Sequence, residues 1–388
     1  MKINWVGYYN QNNGYGRVSS HMVRALQEIG IEVKALTIDD LHKPKWMLDQ
    51  IGVDLTNPTI TCTDLIALPD YPGLLKDHWL LIMCESDKVS SGKIGKIRRS
   101  GVTQVITPSE YCAQAFRDSG LKLPITVVPL GTNPVEFPLA SSGSRSSYTF
   151  LTLADRGWRK GWMEVYDAFF KAFGGKTTGI QDVRLVIKSL DPGNPLTNLI
   201  TKRGSDLDKR IIYDTTNYPD ITKLYSKVDC VVLPSRSEGW GMPHREAAMM
   251  GLPVITQKYS GMDDGHTDEW AILVDKGYMR PAVDSRRRSS GNWRVVDIHE
   301  LADKMLWCYD HQVEADMIGL NARRWLMANQ TWRDSALRVL KMLESEYQIG
   351  SSNVLHMDKS AVQSLASNGR RTRTSDALFG QESRVPAS

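Results

Sequence analysis

The stretch from Val228 to Gly261, VDCVVLPSRSEGWGMPHREAAMMGLPVITQKYSG, constrains the fold more than any other part of the chain. Cys230–Leu233 is apolar at every position, as a parallel strand covered by helices on both faces must be. A loop then runs through Ser235, Arg236, Ser237 and Glu238 into Gly239, Trp240 and Gly241. Pro243 stands where a first-turn proline belongs, and Arg245 to Met250 are good helix formers. Gly251 ends that helix, and Leu252–Ile255 begins another strand. The unit is strand, loop, helix, strand, with a glycine-rich loop at the carboxyl end of its first strand. Open α/β sheets bind their ligands at such ends.

The chemistry of the stretch lies in two carboxylates. Glu238 is in the loop and Glu246 is eight positions further on, inside the helix. The helix N-terminus between them offers free N–H groups and partial positive charge, which suit a diphosphate. Gly239 and Gly241 let the backbone come close to such an anion. A carboxylate on either side can accept hydrogen bonds from hydroxyls, so the pattern fits a phosphate flanked by sugars. The plainer alternative for each glutamate taken alone is a solvated side chain beside a glycine turn.

The run SEGWGMPHREAAMMGLPVI resembles the E-x7-E signature of retaining glycosyltransferases with the GT-B fold, most nearly glycosyltransferase family 4. Trp240 replaces the usual Phe, and His244 and Arg245 fill variable positions. The similarity extends more weakly over Met1 to Tyr347. It implies two Rossmann-like domains facing each other across a cleft, the first for the acceptor and the second for a nucleoside diphosphate sugar. It further implies sugar transfer to an acceptor hydroxyl with retention of anomeric configuration, Glu246 holding the ribose and Glu238 the transferred sugar.

Composition agrees with a two-domain soluble chain. The chain has 388 residues, 41% hydrophobic and 24% charged, with a net charge of +4 that neither demands nor excludes an anionic partner. No stretch approaches the roughly 20 apolar residues of a membrane span. Lys2–Val6 enters a strand at once, without the regions of a signal peptide. Five scattered cysteines without C-x-x-C pairing indicate a reduced, cytoplasmic chain with no structural zinc. We expect a first domain over 1–140, a flexible linker over 141–147 (SSGSRSS), a second domain over 148–330, a helix over 331–349 crossing back onto the first domain, and a disordered tail over 350–388.

Other candidates sit at strand exits. Gly14 and Gly16 lie in a polar loop after the first strand; Ser19 stands where a dinucleotide fingerprint has its third glycine, which argues against NAD. With Arg17, they would, by the resemblance, touch donor phosphate or acceptor. Glu85 and Asp87 follow the strand Leu80–Cys84, and the resemblance turns them into the cleft; an N-cap or solvated loop is the alternative. Arg156 and Lys160 follow the strand Tyr148–Ala154. Alone they read as a solvated basic loop; beside the resemblance they bind the donor diphosphate and act in catalysis, with Arg159 a near alternative. Lys188 ends the strand Val183–Lys188, and Tyr213 opens the loop where related proteins hold the nucleotide base.

No metal is expected. Asp206–Leu207–Asp208 matches D-x-D in form but precedes a strand in a charged stretch, so it reads as solvated surface. Lys276 to Asn292 reads as a polar insertion containing Arg286–Arg288, solvated or, alternatively, facing an anionic acceptor. A glycan, lipid or small molecule is the expected acceptor, with nucleic acid as the alternative, and peripheral membrane contact stays open. A same-fold nucleotide-sugar epimerase and a non-catalytic sugar-nucleotide binding protein are the rival functions.

Overall fold

A computed structural model describes residues 1–10, 13–43, 45–68, 75, 77–140, 146–155, 157–175, 179–190, 208–263, 267–283 and 289–347. The linker residues 141–145, Arg156, Asp206, Arg286–Arg288 and the tail therefore lie outside the described residues.

Two parallel six-stranded sheets organise the chain. The first contains β1 (Lys2–Gly7), β2 (Glu32–Thr37), β3 (Thr59–Cys62), β4 (His78–Leu81), β5 (Gln104–Thr107) and β6 (Ile125–Val127) in the order β2-β1-β3-β4-β5-β6. The second contains β7 (Tyr148–Leu153), β8 (Val183–Lys188), β9 (Ile211–Asp214), β10 (Cys230–Val232), β11 (Val254–Gln257) and β12 (Ile272–Val274) in the order β12-β11-β10-β7-β8-β9. Each order reverses once: between β1 and β3 in the first sheet, and between β7 and β10 in the second. At such a reversal the connections leave on opposite faces and a crevice opens beyond the carboxyl ends of the strands. The expected α/β architecture of two Rossmann-like sheets is present.

Helices cover both faces of each sheet. α1 (Gly14–Glu28) buries Val18, Met22, Ala25 and Leu26 against Ile3, Trp5 and Ile60 of the first sheet. α2 (Lys45–Gln50) precedes β3, and α3 (Ser91–Arg99) and α4 (Glu110–Asp118) cover the opposite face through Ile94, Ile97, Cys112 and Phe116. In the second sheet α5 (Trp162–Phe173) packs Val165, Phe169 and Phe173 on Phe150 and Leu185. The short α6 (Thr222–Tyr225) leads to β10, and α7 (Met242–Met249) joins β10 to β11. α8 (Ile298–Asp310) and α9 (Gln312–Asn329) complete this half. α10 (Trp332–Tyr347) returns to the first half, where Trp332, Val339 and Leu343 join the cluster around α1. Its start is a capping box: Thr331 Oγ1 accepts the Asp334 N–H at 3.2 Å, and Asp334 Oδ2 accepts the Thr331 N–H at 2.8 Å. Among the described residues no helix is long and apolar enough to cross a membrane.

Two expectations need correction. The segment expected as a polar insertion forms an antiparallel ribbon, β13 (Gly277–Val283) and β14 (Ser289–Val296). Its period-2 alternation is broken by Gly277, Pro281 and Gly291, which hides it from a pattern search. Asp208 is also not solvated surface. It is buried, and its carboxylate takes Arg210 Nη2 at 2.7 Å and Nε at 3.0 Å. Arg210 goes on to donate to the carbonyls of Phe173, Gly174 and Ile180, which ties the end of α5 to β9. An arginine with this many partners is a buried clamp, and removing it takes the cation from a buried carboxylate and a donor from each of three carbonyls. Arg210→Met should therefore lower the unfolding free energy by about 3–5 kcal/mol in chemical denaturation.

Candidate active site

The two reversal points face each other, and the residues at their strand exits meet. From the second half, Arg159 and Lys160 follow β7 and the Ser235–Gly241 loop follows β10. Glu238 is 7% exposed. Its Oε2 lies 2.8 Å from Arg159 Nη1 and its Oε1 lies 2.6 Å from Lys160 Nζ. Arg159 also donates to the Ser237 carbonyl at 2.7 Å and reaches Glu85 Oε1 of the first half at 2.8 Å. Burial alone would raise the Glu238 carboxyl, but Arg159 and then Lys160 outweigh it and hold the group well below the usual carboxylate range. The loop is fixed from behind. Ser260 Oγ accepts the Glu238 N–H at 3.0 Å, and Ser260 does so from a left-handed backbone, φ 61°. A non-glycine residue held in that region stores strain of a kind found at functional sites.

Glu246 meets a different partner. It is 4% exposed, and its Oε1 accepts Arg17 Nη1 at 2.7 Å from the first half. Arg17 also reaches Glu136 at 3.1 Å, and Glu136 lies 3.0 Å from His21 Nε2. The His21 ring stacks on Trp332 at 4.9 Å. Burial raises the Glu246 carboxyl more than Arg17 lowers it, so this carboxyl stands above its ordinary value. The two glutamates of the motif are thus pushed in opposite directions.

Helix α7 carries Glu246 and is wired in place around it. His244 is buried; its Nε2 donates to the Leu233 carbonyl at 2.8 Å, and burial brings its pKa down to about 4, so the ring is neutral. The Arg245 guanidinium lies 3.6 Å from the Trp240 ring centre and 4.9 Å from that of Trp270. Trp240 is buried among the side chains around α1. With Arg17, Met242, Glu246 and Trp332 it also lines a small cavity. The first half closes on the same loop: Ser109 Oγ donates to the Gly239 carbonyl at 2.8 Å, and Tyr111 Oη lies 3.0 Å from Ser237 Oγ.

The remaining sequence candidates fall as follows. Gly14 and Gly16 belong to the first turn of α1, capped by Asn13, and not to a loop; Gly16 is small because the Asn10 carbonyl presses on it. Their helical turn places Arg17 on Glu246. Lys188 is buried at the end of β8, and its Nζ has no hydrogen-bond partner among the described residues. Tyr213 is half-buried on β9 beside it. Asp87 does not point at Arg159; its carboxylate accepts the Asn292 N–H at 2.5 Å. Glu136, His21 and Arg245 were missed. Glu136 carries no local motif, and only its distant partners Arg17 and His21 reveal it. Among the described residues no group of three or more His, Cys, Asp or Glu is arranged to hold a metal ion.

Glu238→Gln leaves Lys160 without its carboxylate and Arg159 with only the exposed Glu85, so the unfolding free energy at neutral pH should fall by about 3 kcal/mol. Because the folded-state pKa of Glu238 is depressed, its contribution is complete above the ordinary value of 4.5 and is lost as pH falls below it. Chemical denaturation of both proteins should give a constant difference from neutral pH to about 5, narrowing further down.

Residues 150–285 match the family described as Glycosyl transferases group 1. A putative glycosyltransferase 45 of Sulfolobus islandicus filamentous virus is 23% identical over 274 residues, 69% of this chain and 70% of that protein. A D-inositol 3-phosphate glycosyltransferase of Arthrobacter is 30% identical over 101 residues, covering 23% of this chain and 24% of that protein. Among solved structures, sucrose-phosphate synthase of Thermosynechococcus elongatus superposes with a TM-score of 0.67 at 14% identity, over 90% of this chain and all of that one. Anabaena HepE, solved with UDP and glucose, superposes at 0.62 and 15% identity over 89% of this chain and 100% of that one. The chain therefore has the GT-B fold, its residues 150–285 are similar to glycosyl transferases group 1, and these matches support a glycosyltransferase.

Proposed function

We propose that the protein moves a sugar from a nucleoside diphosphate donor to an acceptor hydroxyl, with retention of anomeric configuration and without a metal. The observation that carries this reading is the pair of buried glutamates flanking the N-terminus of α7, one held by Arg159 and Lys160 and the other by Arg17. A diphosphate at that helix end gains its N–H groups and brings two negative charges to Arg159 and Lys160. The cations then exchange part of their contact with Glu238 for phosphate oxygens, and Glu238 is released to accept hydroxyls of the donor sugar. Glu246, ionised beside Arg17, accepts the ribose hydroxyls. Lys188 and Tyr213, at neighbouring strand ends, face the nucleotide, and Arg156 is a further candidate for the diphosphate.

In the transfer step the bond between the anomeric carbon and the terminal phosphate oxygen breaks, and the acceptor oxygen bonds to that carbon. The acceptor proton passes to the departing phosphate oxygen. Charge grows on that oxygen as the bond stretches, and fixed cations and N–H dipoles already aimed there stabilise it without reorganising. HepE was solved with UDP and with UDP-glucose, so a UDP-sugar is the first donor to test. The acceptor is a glycan, lipid or small-molecule hydroxyl.

A thermal-shift panel of UDP-, GDP- and ADP-sugars tests the donor. A ligand at about a hundred times its Kd should add about 2.7 kcal/mol of stability. With the ligand so found, Glu246→Ala should weaken binding by about 1.5–3 kcal/mol in calorimetry. Unchanged affinity would remove the ribose assignment.

Turnover should survive EDTA. Lys160→Ala should lower the rate by roughly a hundredfold or more, equivalent to several kcal/mol of transition-state stabilisation. Loss of activity in EDTA with recovery in Mn²⁺ would transfer the leaving-group role from Lys160 to a metal.

A further inference from the structure

The ribbon β13–β14 belongs to neither six-stranded sheet, yet its return strand is among the most firmly tied segments between the two halves. On one side it lies along residues 85–88, which follow β4. Asp87 Oδ1 accepts the Asn292 N–H at 2.5 Å, and Asp87 Oδ2 accepts Asn292 Nδ2 at 3.1 Å. The Asp87 N–H donates back to the Asn292 carbonyl at 3.4 Å, and Ser290 Oγ donates to the Lys88 carbonyl at 3.2 Å. Trp293 Nε1 donates to the Glu85 carbonyl at 2.7 Å. Gly291 makes this approach feasible: its φ is +74°, and a Cβ there would overlap Asp87 Oδ1 and the Lys88 nitrogen.

On its other side the same strand is tied to the donor half. The Arg294 N–H donates to the Arg236 carbonyl at 3.0 Å, and the Arg294 carbonyl accepts Gln257 Nε2 at 3.1 Å. The Arg294 guanidinium reaches the Lys258 carbonyl at 3.0 Å. Arg236 and Gln257 border the loop that carries Glu238; Gln257 also donates to Ser235. A two-stranded ribbon is marginal by itself in water, so these contacts define its conformation. They also converge on one catalytic candidate. Glu85 is the residue whose carboxylate reaches Arg159 across the cleft, and its backbone is gripped at its own carbonyl and again two residues later.

We propose that β13–β14 is a strap between the halves, anchored by Asp87, that positions Glu85 against the Arg159–Glu238 centre on the acceptor side. Asp87 is then a positioning residue and takes no part in proton transfer. The meaning of the acceptor side rests on the glycosyl-transfer reading; the strap itself does not.

Three full-length variants test the anchor. Asp87→Ala removes both oxygens that accept from Asn292. Asn292→Asp alone sets two carboxylates against each other, and the double exchange D87N/N292D restores a donor–acceptor pair. Hydrogen exchange of the segments around residues 87 and 292 is read alongside UDP affinity and UDP release from UDP-glucose. Each single variant should lose protection at both segments and turn over about tenfold more slowly, with UDP affinity within about twofold of wild type. The double exchange should recover both protection and turnover. Unchanged protection in Asp87→Ala overturns the strap. Recovery of protection without recovery of turnover overturns the positioning role and returns the Asp87 carboxylate to the chemistry. If the wild type binds none of the UDP-, GDP- and ADP-sugars and turns none over, the transfer reading fails, while protection in the three variants still decides whether Asp87 anchors the ribbon.

Discussion

Two carboxylates eight residues apart, each more than nine-tenths buried, are the constraint around which the molecule is arranged. A charge without water must be matched by an opposite charge and by hydrogen bonds, or it neutralises itself or unfolds its surroundings. The cations come from the first strand exit of each half, Arg159 and Lys160 after β7 and Arg17 after β1. The strand orders of both sheets reverse beside these exits, so the topology and the charge balance require the same geometry.

The partners differ in a way that suits different tasks. Glu238 lies between two cations of its own half and stays ionised, and those same cations are the groups a diphosphate would claim. Glu246 depends on one arginine from the opposite half, and its burial raises the carboxyl above its ordinary value. Around them the packing is unusually committed. Arg245 stacks on Trp240 and near Trp270, His244 is neutral and bound to Leu233, and Ser260 holds a strained backbone to meet the Glu238 N–H. These side chains hold the helix still, which is what preorganised electrostatic stabilisation asks of its scaffold.

Much of this was legible in the chain. Strands β1, β8, β10 and β12 announce themselves as short apolar runs, and the last two long helices by their 3.6-residue periodicity. The glutamate pair could be named because local spacing and a glycine-rich loop carry its meaning, and Lys160 only through the family resemblance. Residues whose role depends on a distant partner could not be placed. Glu136 gains its role only from Arg17 and His21, and Asp208 only from Arg210 two positions away and three carbonyls beyond it. Asp87 looked like a cleft carboxylate, and what claims it is Asn292, some two hundred residues further along. The ribbon stayed hidden because glycine and proline interrupt its alternation, and β3 because Thr59 and Thr61 break its apolar run.

The central claim is that the charges now paired with Glu238 and Glu246 are the ones a nucleoside diphosphate engages. A crystal structure of the chain with UDP tests it most directly. The account predicts the diphosphate at the N-terminus of α7, within hydrogen-bond distance of Arg159 and Lys160, and the ribose hydroxyls on Glu246. UDP bound elsewhere, with the Glu238–Arg159 and Glu246–Arg17 pairs both intact, would contradict it.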